Sequence, residues 1–67
     1  MDWTGLKGKQ VYIKTKTGRI YTAFIKDVIT ENFNYILYII DKFGKSAMIR
    51  NDEIVEWREL WRGNVRL

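Results

Sequence analysis

From Gln10 to Lys16 apolar and polar side chains alternate: Val11 and Ile13 stand between Gln10, Tyr12, Lys14 and Lys16. A period of two sends successive side chains to opposite faces, the pattern of a strand buried on one side. Nearby threonines suit extended backbone. "KTGR" at 16–19 supplies a turn, because Gly18 can take the positive φ that a tight hairpin needs. A second strand follows over about 19–29, with Tyr21, Ala23 and Ile25 on one face and Ile20, Thr22, Phe24 and Lys26 on the other. "TENFN" at 30–34 is rich in residues that bond their own backbone and reads as the next turn. "FNYILYIID" is a third strand with apolar residues on both faces, "DKFGK" closes a hairpin around Gly44, and "SAMIR" is a short fourth strand. The absence of proline fits uninterrupted ladders.

After Arg50 the pattern divides. "NDEIVEWRELW", within 51–62, can begin a helix capped by Asn51 or Asp52, since Ile54, Trp57 and Trp61 recur at i, i+3 and i+7. It can also be a turn at "NDE" followed by a fifth strand, "IVEWRE". The strand is preferred, because four short strands with a bent second one need a fifth to cover open edges. The expected fold is therefore an all-β, five-stranded, strongly bent small barrel over about 9–59, with a short N-terminal segment and a C-terminal tail at 60–67. In such a barrel the long second strand serves both halves of the sheet. Its outer apolar residues then need a cover: the segment carrying Trp3 and Leu6, the tail, or another copy of the chain.

Sixty-seven residues make a single domain, 1–67. A chain this short buries only roughly 60% of its unfolded surface. It has no Cys and no His, so disulfides and the usual metal sites are not available to reinforce it. The acids lack calcium-loop spacing, and neither a metal nor a cofactor is expected. The same absences remove the commonest general base and the most reactive nucleophile. The chain also lacks a Walker lysine motif and a glycine-rich dinucleotide loop. The reading is a non-enzyme with no small-molecule substrate. No apolar run approaches the roughly 18 residues of a spanning helix, and "MDWTGLKGK" is no secretory signal. A cytoplasmic protein that does not engage membranes is expected.

Charge changes the picture more. The net charge is +4, with Lys7, Lys9, Lys14, Lys16, Arg19 and Lys26 opposed only by Asp2 and Asp27 in the first 30 residues. Such a surface attracts phosphates, and counterion release favours the contact.

The order of elements resembles the Sm-like proteins. "GKQVYIKTKTGRIYTAFIKDV" resembles that family's first motif, "NYILYIID" its Asn-led third strand, and "AMIRNDEIVEW" its second motif, over about 6–59. Other small barrels of the SH3 type share the strand order and turn glycines. The resemblance implies a ring of about six or seven subunits joined by strand pairing, and uridine-rich RNA bound near the pore. By position the family's RNA site falls on Asn34, Asn32, Thr30 and Arg50. Asn34 and Arg50 match it. Thr30 stands in place of an Asp, Asn32 in place of a stacking side chain, Asn51 in place of a glycine and Ala23 in place of the glycine that bends the second strand. The chain also carries one more residue between Ala23 and Asn34 than the usual spacing. Phe33 can stack in place of the missing aromatic, but it matches a position that usually points into the core, and the core reading is preferred.

Two function classes follow. In the first, RNA as single strands, uridine-rich by the resemblance, meets Asn34, Arg50 and Asn32 together with Lys14, Lys16 and Arg19, and the chain works as a homo-oligomer. Aromatic faces would take stacked bases, while Asn34 and Arg50 would add base preference. Asn34 can instead cap its own turn, and Arg50 can pair with Asp52 or Glu53. In the second, an SH3-like interaction or assembly module docks through Phe24, Tyr38, Trp57 and Trp61 without nucleic acid. There the two tryptophans can equally cover the end of the barrel. A double-strand DNA binder is a third possibility that the modest charge does not favour.

Overall fold

In the computed structural model of the chain, the described residues are 3–60. Trp61 and most of the expected tail lie outside them. A 3-10 turn, η1 (Trp3–Leu6), precedes β1 (Gln10–Thr15), β2 (Ile20–Glu31), β3 (Asn34–Asp41) and β4 (Ser46–Arg50). A second 3-10 turn, η2 (Asn51–Glu53), leads into β5 (Ile54–Glu59). The five strands form one antiparallel sheet in the order β4-β3-β2-β1-β5.

The length of β2 has a structural reason. Its first half pairs with β1, from Ile20 opposite Lys14 to Phe24 opposite Gln10. The remainder pairs with β3, from Ala23 opposite Asp41 to Glu31 opposite Asn34. One strand thus serves two hairpins. Between Ile25 and Asp27 the register shifts by one residue. Lys26 is the inserted residue of a β-bulge, which bends a strand and increases its twist. The bulge reverses the parity of the inner face: Ala23 and Ile25 are buried before it, and Val28 packs on the core after it.

A second bulge resolves the ambiguity at the C-terminal strand. Ile54 lies opposite Thr15 and Glu56 opposite Lys14, so Val55 is skipped. Ile54 and Trp57 then both turn towards the core, three positions apart, which reproduces helical spacing inside a strand.

The core gathers Val11 and Ile13 from β1, Ala23 and Ile25 from β2, Leu37 and Ile39 from β3 and Ile49 from β4. Trp3 and Leu6 close it from η1, and Ile54 and Trp57 add β5. All five strands share this cluster, so the sheet curls around it. Among the described residues no ladder joins β4 to β5. The fifth strand covers the open side of β1, leaving one edge of β4 and one of β5 unpaired.

The opposite face of β2, β3 and β4 is also largely apolar. Phe24 stands opposite Ile40, Ile29 opposite Ile36, and Tyr38 opposite Met48. Ile29 and Met48 are exposed.

Candidate functional site

The bend in β2 carries the two turns at its ends towards the same short segment. At one end the Tyr35 N–H donates to Asn51 Oδ1 at 3.0 Å. At the other, the Lys16 N–H donates to the Glu53 main-chain oxygen at 2.9 Å. Both contacts fall on η2, three residues long. Asn32, Asn34, Arg50, Lys16 and Arg19 are thereby drawn around one end of the domain. Lys14 is not, since its register sets it on the outer face of β1 beside Ile20 and Glu56.

The β2–β3 turn is tighter than its composition implies. Glu31 still pairs with Asn34, leaving Asn32 and Phe33 as the turn residues. Asn32 takes φ 55°, a left-handed conformation that its short polar side chain tolerates better than most. Phe33 is consequently not in the ladder at all. It is 98% exposed at the tip, which corrects the expectation of a core position. The available signal was an aromatic flanked on both sides by turn-forming residues.

Arg50 ends β4 opposite Ile36 and forks onto its near neighbour. Its Nε donates to Asp52 Oδ1 at 3.2 Å and its Nη2 to Oδ2 at 2.7 Å. The Arg50 N–H donates to Glu53 Oε1 at 3.0 Å. These hydrogen bonds from Arg50 hold the Asp52 carboxyl below the usual carboxylate range, with the Lys16 charge acting in the same direction. The alternative reading of Arg50, as half of an ion pair, is therefore the arrangement present. Because the folded pKa of Asp52 lies below the unfolded one, its contribution to stability is complete above the unfolded value. That contribution is lost as pH falls through the lowered one. In an NMR titration Asp52 is expected to show a depressed midpoint that rises in Arg50→Gln; a midpoint indifferent to that substitution would contradict the pairing.

The remaining cations separate into two sets. Lys7 pairs with Asp27 at 3.5 Å, Lys9 with Glu59 at 3.3 Å and Arg58 with Glu56 at 3.9 Å. Arg58 also lies over the Tyr12 ring, 4.5 Å from its centroid, which accounts for an outward tyrosine on β1. Among the described residues Lys26, Lys42 and Lys45 make no salt bridge, and neither do the three expected at the site, Lys14, Lys16 and Arg19. Two of these three line a groove of about 350 Å³, whose one wall is the chain from Thr15 to Tyr21 and whose other is Met48 and Ile49. Sequence reasoning named its cations and missed its hydroxyls: Thr15 Oγ1 and Thr17 Oγ1 are 3.0 Å apart, and Arg19 Nη1 donates to Tyr21 Oη at 3.4 Å.

The residues expected at an interface fare differently from one another. Phe24 and Tyr38 are on the outer face, each partly accessible. Trp57 faces inward opposite Ile13, its ring centroid 5.5 Å from that of Trp3 at a 55° tilt, and so takes the covering role. Among the described residues no group of three or more side chains is arranged to hold a metal ion. No helix among them is long and apolar enough to cross a membrane. No family model, curated protein or solved structure matches the chain, so the Sm-like resemblance rests on its motifs.

Proposed function

We propose that the chain is a non-catalytic, single-stranded nucleic-acid-binding module, with RNA as its ligand, that works in the cytoplasm as an oligomer of Sm-like barrels. The observation that carries this reading is Phe33. An aromatic ring 98% exposed at the tip of a two-residue turn has no packing role. It lies between Asn32 and Asn34, whose amides can meet base edges. Single strands present unstacked bases to such platforms, whereas a duplex keeps its bases stacked away from them. Lys16 and Arg19, on the neighbouring turn, supply positive charge that no carboxylate of the described residues neutralises by a salt bridge.

Assembly is supported by a different pair of features. The unpaired edges of β4 and β5 are templates for strand addition. The outer row of Phe24, Ile40, Tyr38 and Met48 extends to the β4 edge. These also support the second reading, a module that assembles or docks without nucleic acid.

One experiment separates the two. Native mass by light scattering, with and without oligouridine and with a duplex of equal length, is expected to show an oligomer that co-elutes with the single strand and not the duplex. An oligomer indifferent to both nucleic acids would select the assembly module. A duplex preferred at matched salt would overturn the single-strand reading.

A further inference from the structure

We infer that the groove between the β1–β2 turn and β4 seats a backbone phosphate of the bound strand. This assignment rests on the single-strand reading above and gives it a second, chemically distinct contact. Lys16 and Arg19 bracket the turn and both line the groove, so two positive charges reach the same space. Arg19 Nη1 donates to Tyr21 Oη at 3.4 Å, an exposed contact along the same wall. Lys16 is fixed at its main chain by the bond to Glu53. The Tyr21 phenol adds a neutral donor that a phosphate with several acceptor oxygens can use, whereas the Thr17 hydroxyl is engaged with Thr15 Oγ1, which itself donates to the Arg19 main-chain oxygen.

Glu53 also lines the groove and is the group that would oppose an anion. Its carboxylate is engaged by the Arg50 N–H, on the β4 side of η2. The volume of about 350 Å³ is more than one phosphate needs and leaves room for the attached sugar. A smaller recess of about 210 Å³ lies along Ile36, Met48 and Arg50. Met48 and Glu53 belong to both. Ile36 follows Phe33 by three positions and stands opposite Arg50 on β4.

The test uses the whole protein and three probes: fluorescent oligouridine, an abasic phosphodiester of the same length, and inorganic phosphate. Lys16→Gln/Arg19→Gln is expected to weaken both polymers. Removing the one single-strand phosphate contact seated there lowers the salt slope by about 0.7. Between about 50 and about 200 mM salt the wild type therefore loses about 2.6-fold more affinity than the double variant. Lys16→Arg/Arg19→Lys keeps the charges and is expected to restore binding, which guards against a merely misfolded turn. If the wild type binds oligouridine and the glutamine variant binds equally well with the same salt slope, the phosphate seat is overturned while the single-strand reading stands. If the wild type binds neither polymer, both fall together. If amide shifts in residues 15–21 respond to inorganic phosphate and to neither polymer, the groove takes a free anion and the backbone assignment is wrong.

Discussion

Truncating Leu37 to alanine is expected to remove about 2 to 5 kcal/mol from a domain of this size, whose entire stability is of order 3 to 10 kcal/mol. Leu37 is fully buried, opposite Val28 on β2 and Ile49 on β4. Ladders on both sides of β3 fix its backbone, so neighbouring strands cannot move in to fill the space. Among the described residues the core has nine buried apolar side chains, and no disulfide stands behind them. The adjacent position is the control: Ile36 faces outward opposite Ile29 and Arg50, and its truncation is expected to cost far less. Urea unfolding measures both, as a large drop in midpoint at constant slope for Leu37→Ala and a small one for Ile36→Ala. Equal losses would mean that β3 is buried on both faces, and the outer apolar row would then be covered in solution by another copy or a partner.

That comparison turns on a distinction the sequence leaves open. "YILYII" is apolar on both faces, and nothing local says which set is inside. The strands themselves were legible because alternation and turn glycines are local signals; "SAMIR" and "IVEWRE" coincide with β4 and β5. The bulges were not, because a bulge is a mismatch between two strands far apart in the chain. Val55 slips out of register against β1, and the resulting inward pair of Ile54 and Trp57 imitates a helical face. Lys26 does the same against β3 and flips the inner face of β2 midway.

The site was legible in its residue types and less so in their roles. Lys16 and Arg19 were marked by charge alone, and their shared groove depends on a bend that only β2–β3 pairing sets. Arg50 was named for a base contact, but its fork onto Asp52 depends on η2 turning back within two residues. Phe33 went the other way. A strand beginning one residue earlier would bury it, and the left-handed Asn32 decides the matter by closing the turn in two residues.

Phe33→Ala is accordingly the substitution expected to change binding most without touching the fold. The loss of a base stack is worth about 1 to 3 kcal/mol, which is about 5- to 150-fold in oligouridine affinity. An exposed side chain outside every ladder contributes little to stability, so the unfolding midpoint should stay within about 0.5 kcal/mol of wild type. Phe33→Trp retains a π-face and should keep the affinity; the abasic polymer, having nothing to stack, should bind wild type and Phe33→Ala alike. Phe43 provides the comparison for general stickiness. It is 78% exposed on the turn at the other end of β3, with Lys42 Nζ 5.4 Å from its ring centroid. If Phe43→Ala weakens oligouridine as much as Phe33→Ala does, binding is not localised at η2, and the ligand would have to run across the outer face of β3. If only Phe33 matters, the base contact lies beside Asn34, at the end of the domain where the unpaired cations of the first turn also gather.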